Sequence, residues 1–134
     1  MCGGGEKVTL KLLAKYGDYG NWDVDVDGFK SKSEILQKHC EDVGRNYSEI
    51  GRTLHTNVLI ANNSKDLDSK ISKLSSYTSI PKDIYYEKPL IGLKNEVFET
   101  INAYKNEGCS YLIAYIPDIV WGDTVDILSE LNSS

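Results

Sequence analysis

Hydrophobic positions along the chain recur at two spacings, and the alternation between those spacings predicts the element order. Val8, Leu12 and Tyr16 fall at four-residue steps with Leu13 beside them, so the spacing predicts a helix that Gly17 stops. Tyr19 to Val24 suits a short strand. Asp23 to Lys32 carries loop chemistry, with Asp27 and Gly28 as the turn. Ser31 or Ser33 is then expected to cap a helix with the stripe Leu36, Cys40 and Val43, ended by Gly44. Asn46 to Glu49 is a turn or short helix. Thr53 to Ala61 is expected to be a strand with a buried apolar end at Val58 to Ala61. Asn62, Asn63 and Ser64 break it and cap a helix whose face is Leu67, Ile71 and Leu74.

Ser75 to Pro89 holds two of the three prolines and lacks clean periodicity, which predicts an irregular connection with one helical turn near Lys82 to Tyr86. Lys88 to Gly92 suits a short strand. Lys94 to Glu107 is the clearest helix, with Val97, Ile101 and Tyr104 in line, Phe98 alongside and Gly108 as its end. Ser110 to Ile116 is a continuous apolar run, expected to be a strand covered on both faces. Pro117 and Asp118 lead into a last helix with Val125, Leu128 and Leu131 on one side. Strands separated by helices imply crossover connections and a mostly parallel sheet, an α/β fold. No internal repeat and no linker divide the sequence, so residues 1–134 are expected to form a single domain.

Length sharpens this picture. The chain has 134 residues, whereas a complete (β/α)₈ barrel takes about 250, so at most about half of such a barrel is present. Apolar residues make up 40 % and charged residues 26 %, an ordinary globular composition that needs no disulfide or metal to fold. The net charge of −5 and the scattered lysines provide no basic stripe, which argues against nucleic acid. Three widely spaced cysteines, Cys2, Cys40 and Cys109, suggest neither a disulfide framework nor zinc. The apolar run Tyr111 to Ile116 is too short to span a bilayer, and the Gly-rich start has no signal-peptide core. A cytoplasmic protein is expected.

Three groups of residues carry candidate chemistry. Gly3, Gly4 and Gly5 precede a helix start, where converging backbone N–H groups and the helix dipole suit a phosphate; Lys7 and Thr9 add donors. It is neither a Walker A motif nor GxGxxG, and a flexible tail is the competing explanation. A phosphate loop ordinarily follows a strand, and here the chain starts at the loop. Asp23, Asp25, Asp27, Gly28 and Glu34 match the spacing of an EF-hand calcium loop, Asp23–Glu34, although Lys30 occupies a position usually apolar. The competing explanation is an acidic surface loop. His39 is expected to be structural, and His55 to face a ligand at a strand end or to be structural. No Ser/His/Asp, Cys/His or HExxH set is present. Most of the nine tyrosines are expected to fill the core with their hydroxyls at the surface. Trp22, with Asn21, follows the first short strand where ligand-facing loops of a barrel begin.

Gly3-Gly4-Gly5-Glu6-Lys7-Val8-Thr9-Leu10, followed by Leu13-Ala14-Lys15-Tyr16-Gly17-Asp18-Tyr19-Gly20-Asn21, resembles the segment GGGGEKxTLxLxAxYxDxxN of luciferase-like oxidoreductases, especially their coenzyme F420-dependent branch. The likeness continues at His39 to Arg45, Ile50 to Thr53, Gly92, Glu96-Val97 and Gly108 to Asp118, and is weakest at Asp23 to Ser33 and Ser75 to Pro89. The resemblance implies the C-terminal half of a (β/α)₈ barrel that binds FMN or F420 at the C-terminal ends of its strands. It places Gly3, Gly4, Gly5, Glu6 and Lys7 near the cofactor phosphate, with Asn21 and Trp22 on the cofactor side, and it gives Asp23 to Glu34 no metal. The family's substrate-side residues come mostly from the front half of the barrel, so no catalytic residue is assigned and a half alone is expected to be inactive. Such a half should self-associate or require a complementary N-terminal half barrel. The remaining alternatives are the calcium module and a truncated remnant with a structural role.

Overall fold

The structure is a computed structural model and describes residues 7–133. Gly3, Gly4, Gly5 and Glu6 lie outside the described residues, as does Cys2. The chain divides into two compact units, each with its own parallel strands. The first runs through Thr56 and takes in Ala103–Ile113; the second holds Asn57–Asn102 and resumes at Ala114.

The first unit opens with α1, Thr9–Tyr16, which ends at Gly17 as expected. Its buried face is Leu10, Leu13 and Ala14, whereas Val8, Leu12 and Tyr16 are 68 %, 49 % and 78 % exposed. The expected stripe is therefore the outer one. Both sets repeat at helical spacing, and packing against the sheet chose the other: Leu13 fills the space over Gly17 and Gly20. Strand β1, Tyr19–Trp22, is shorter than expected. The next helix, α2, spans Val26–Val43, so Asp27 to Lys32 is helical and not a loop. Its cap is Asp25, whose carboxylate accepts from the Gly28 N–H at 2.7 Å, and neither Ser31 nor Ser33. Leu36 and Cys40 are buried as expected, with Phe29 added at the front, and Gly44 closes the helix at φ 73°, where a side chain would strain.

A 3₁₀ turn, Tyr47–Glu49, leads to β2, Gly51–Asn57. Strand β1 pairs parallel with β2 in the register Tyr19 to Gly51 and Asn21 to Thr53. On the other side of β2 lies the last strand of the chain, Tyr111–Tyr115, which is β5 once the two short strands of the second unit are counted. Strands β1 and β5 are thus the two edges of a three-stranded sheet. The core of this unit lies between that sheet and its helices. Trp22 meets Phe29 edge-on at 5.1 Å, Phe29 meets Tyr104 at 5.8 Å, and the Tyr104 hydroxyl donates to the Val24 carbonyl at 2.6 Å. Burial, and then the charges of Asp25 and Asp23, push that hydroxyl's pKa up and keep it a donor.

The second unit starts at β3, Leu59–Ala61, so the single strand expected over Thr53 to Ala61 is interrupted at Val58. The Val58 N–H turns to the Tyr115 carbonyl at 2.9 Å. Asn63 caps α3, Ser64–Thr78, through the Asp66 N–H at 2.9 Å, and Leu67, Ile71 and Leu74 form its buried face, as the spacing predicts. The turn expected near Lys82 is α4, Lys82–Tyr86, and Tyr85 joins the same core. Strand β4, Ile91–Leu93, pairs parallel with β3 and passes directly into α5, Lys94–Asn106. The last helix, α6, Thr124–Ser129, buries Thr124 and Ile127, while Val125 is exposed. The expected face of Val125, Leu128 and Leu131 is thus displaced, because the buried Thr124 anchors the helix by its hydroxyl.

Candidate functional site

The three strands of the first unit begin at one end: Asp18, Tyr19, Ser48, Gly51, Ser110 and Tyr111 line a shallow cavity there. Side chains on a strand alternate between faces, so the register assigns each residue to a side. Trp22, Leu54 and Thr56 face the helices and are buried. Tyr19, Asn21, Gly51, Thr53 and His55 share the other face, with Tyr111 joining them through its ring contact with Tyr19 at 6.2 Å. That contact passes over Gly51, where a Cβ would collide with the Tyr19 ring, so the absent side chain lets the two tyrosines form one layer.

This face is open. Tyr19 is 42 %, Tyr111 61 %, Ile113 41 % and Tyr115 65 % exposed, and His55 is exposed between buried Leu54 and Thr56. The expectation that Ser110 to Ile116 is covered on both faces fails: alternate residues of β5 stand in solvent. The tyrosine expectation fails with it. Tyr16, Tyr19, Tyr77, Tyr86, Tyr111 and Tyr115 are exposed, and among the described residues only Tyr85 and Tyr104 belong to the buried core. After the Tyr19–Gly51 pair the face turns polar along β1 and β2, whereas β5 stays apolar or aromatic to its end at Tyr115. The buried Thr53 hydroxyl is shared between the Gly20 carbonyl at 2.8 Å and Asn21 Oδ1 at 3.0 Å, which fixes the Asn21 amide and leaves its Nδ2 as a donor. Tyrosine and isoleucine surfaces, one oriented amide and an imidazole make up this wall, and the carboxylates of Asp18 and Glu49 flank it at the strand starts.

The candidate residues separate on this geometry. Asn21 is half-buried on the open face. Trp22 is buried on the opposite side and supports the strand from behind; its indole N–H has no hydrogen-bond partner among the described residues. Lys7 lies in a groove with Ile35, Lys38, His39 and Asp42, on α2 and away from that strand face. His55 shares the face of Asn21 and Thr53 and is exposed there. The alternation of Tyr111, Ile113 and Tyr115 was visible in the sequence, but a wholly apolar run does not reveal which side is covered.

Calcium coordination by Asp23–Glu34 is overturned. An EF-hand needs twelve residues looped around the ion, whereas Asp27, Gly28 and Glu34 lie within α2 and Asp25 is spent capping it. Among the described residues no three acidic, histidine or cysteine side chains are grouped to hold a metal. The half-buried Cys109 thiol and the buried Cys40 thiol are both pushed up in pKa by burial, which makes each a poor nucleophile.

A second polar constellation belongs to the second unit. Lys70 reaches Asp118 at 3.0 Å, Asp123 at 2.5 Å and the Ile60 carbonyl at 2.6 Å. Asp118 is fully buried and accepts from the Thr124 hydroxyl at 2.8 Å, and Thr124 in turn receives the Ile60 N–H at 3.1 Å. Gly122 is required beside it, since a Cβ there would collide with Asp118 Oδ2. These contacts of Lys70 are all internal, so the cluster fastens α3, the end of β3 and the turn Asp118 to Asp123 together.

No family model and no curated protein sequence matches the chain. Solved structures do. An F420-dependent secondary alcohol dehydrogenase, in complex with an F420–acetone adduct, superposes with a TM-score of 0.68 at 13 % identity, over 91 % of this chain and 44 % of that one. A long-chain alkane monooxygenase gives 0.68 at 14 %, over 92 % and 38 %. A riboflavin lyase with modified FMN gives 0.71 at 11 %, over 98 % and 42 %. The chain therefore spans less than half the length of these structures. No helix among the described residues is long and apolar enough to cross a membrane. The parallel strands and these superpositions agree: the chain has an α/β fold that matches about half of the (β/α)₈ barrels of these F420- and flavin-linked proteins.

Proposed function

We propose that this chain is the C-terminal part of a luciferase-like oxidoreductase that uses coenzyme F420 or FMN. The observation that carries this reading is the open face, on which Asn21, Thr53 and His55 follow the Tyr19–Gly51 pair in the C-terminal direction of β1 and β2. Active sites of (β/α)₈ barrels are built at the C-terminal ends of the strands.

In this reading the backbone N–H groups of Gly3, Gly4, Gly5, Glu6 and Lys7 hold the cofactor phosphate, while the Lys7 side chain stays in its groove on α2. Asn21 Nδ2 donates to the ring system, Thr53 keeps the amide in place, and Trp22 stiffens β1 from behind. When bound, F420 or FMN supplies the hydride-transfer or oxygen chemistry, and the protein's part is to bind and orient it. His55 lines the same wall, where it can donate or accept a hydrogen bond at the ring edge. None of these residues is assigned a proton transfer, and turnover requires substrate-side groups from a front half of the barrel. The chain alone is therefore inactive in this account, and its uncovered face calls for a second copy or a complementary half.

Fluorescence titration with F420 and with FMN tests the binding. Saturable binding of one of them is expected, weakened at least tenfold by Gly4→Asp, which sets a carboxylate against the phosphate; a tenfold loss corresponds to about 1.4 kcal/mol. Equal binding by the variant would remove the glycine loop from the account.

A further inference from the structure

Helix α1 buries Leu10, Leu13 and Ala14, and its exposed positions fall into two rows at four-residue steps. One row is apolar: Val8, Leu12 and Tyr16 all stand in solvent. The other is basic: Lys11 and Lys15 on the helix, with Lys7 in the turn before it, all exposed. The helix itself carries no acidic residue. Beyond the basic row lies α2, across a groove lined by Lys7, Ile35, Lys38, His39 and Asp42, of which Asp42 is the one carboxylate. Lys70, Lys82 and Lys94 each pair with a carboxylate. No ion pair among the described residues takes up Lys11, Lys15 or Lys38. Like charges one turn apart repel, so α1 carries a cost that carboxylates from outside would turn into a gain. The chain as a whole is acidic, at a net charge of −5, and this surface is locally of the opposite sign.

We infer that this surface is a docking site for an acidic amphipathic helix of a partner protein. Two parallel rows at four-residue steps leave a furrow between them, into which a ridge of a second helix seats. Apolar residues of that helix cover Val8, Leu12 and Tyr16, while carboxylates along one side of it meet Lys7, Lys11 and Lys15. The rows run about 12 Å at 1.5 Å per residue, so about two turns of the partner cover them. A bilayer is the poorer occupant, because a flat anionic surface also meets the acidic remainder of the chain, whereas one helix meets only the basic row. The open sheet face and its cofactor play no part in this inference.

Fluorescence anisotropy with a labelled model peptide, without F420 or FMN, tests it. The peptide is alanine-based and about 15 residues long, enough to form a helix by itself. It carries leucine at every fourth position with glutamate beside each leucine, and its counterpart has lysine in place of glutamate. The wild-type chain is expected to bind the glutamate peptide saturably, more weakly as salt rises, and to leave the lysine peptide unbound. Lys11→Glu combined with Lys15→Glu is expected to weaken the glutamate peptide about tenfold, through two lost surface ion pairs and the repulsion that replaces them. The same double variant is expected to gain the lysine peptide. Leu12→Ser, at an exposed position, should weaken the glutamate peptide, and Lys65→Glu, exposed on α3, should leave it unchanged. Circular dichroism confirms that each variant is folded. A glutamate peptide that does not bind, that binds no better than the lysine peptide, or that the double variant binds as the wild type does overturns the inference. So does binding to phosphatidylserine vesicles with neither peptide bound, which assigns the surface to a membrane.

Discussion

At the scale of single residues, burial and partnership decide what each side chain does. Asp118 is the clearest case. Its carboxylate is fully enclosed, and its charge is balanced by Lys70 at 3.0 Å and by the Thr124 hydroxyl. Asp118→Ala leaves Lys70 its contacts with Asp123 and the Ile60 carbonyl but removes the acceptor of the buried Thr124 hydroxyl and opens a buried space, so it is expected to lower stability by about 1–3 kcal/mol in urea unfolding. Lys82→Ala, at an exposed pair with Asp68, should leave the midpoint nearly unchanged. Asp123 adds a pH dependence. The hydrogen bond from Lys70 holds its carboxyl below the ordinary value of 3.8, so on acidification the folded form takes up its proton after the unfolded form does. Its contribution is complete above pH 3.8 and is lost as the pH falls through the lowered folded value. Asp123→Asn is thus expected to be less stable than the wild type at neutral pH, with the gap closing as urea midpoints are followed into acid. A gap that stays constant on acidification would break the link to Lys70.

At the scale of elements, the capping chemistry of α2 replaces a metal site. Asp25 fixes the first turn through the Gly28 N–H, and losing such a cap costs about 1 kcal/mol. Asp25→Ala is expected to lower the urea midpoint accordingly, while millimolar calcium should leave the wild type's calorimetric trace and unfolding midpoint unchanged. A calcium heat with a stabilised wild type would restore the loop account. Gly108 is a second sensitive point, at φ 89°, where a methyl group would run into the Arg52 guanidinium. That guanidinium donates to the Glu107 carbonyl at 2.9 Å and so ties the end of α5 to β2. Gly108→Ala is expected to cost about 1–2 kcal/mol through left-handed strain alone, read as a lower midpoint.

These elements also show what the chain's pattern reveals and what it conceals. Leu67, Ile71 and Leu74 were legible as a buried face because their helix packs by one stripe, and Gly44 and Gly108 were legible as helix ends because glycine readily takes up their positive φ. The inner face of α1 was not, since Leu10, Leu13 and Ala14 repeat as regularly as Val8, Leu12 and Tyr16, and the choice between them is made by Gly17 and Gly20 across the packing. Of the candidate site, Asn21 was legible through the family likeness. Thr53 and the Tyr19–Tyr111 layer were not, because a strand register brings them together from three distant stretches of chain.

At the scale of the molecule, the fold and the openness of one sheet face belong to the same explanation. A (β/α)₈ barrel buries the inner side of its strands in layers of side chains. The first unit shows such a layer uncovered, aromatic where Tyr19 meets Tyr111 and polar where Asn21 meets Thr53. In the proposed reading, the polar part of this wall is where a flat cofactor is held. The most direct test is an NMR titration of the labelled chain with F420 and with FMN. Saturable shifts of the amides of Gly3 to Lys7, Asn21, Thr53 and His55 are expected, with the Lys70–Asp118 cluster unmoved. Shifts confined to that cluster, or none with either cofactor, would contradict the cofactor-binding wall.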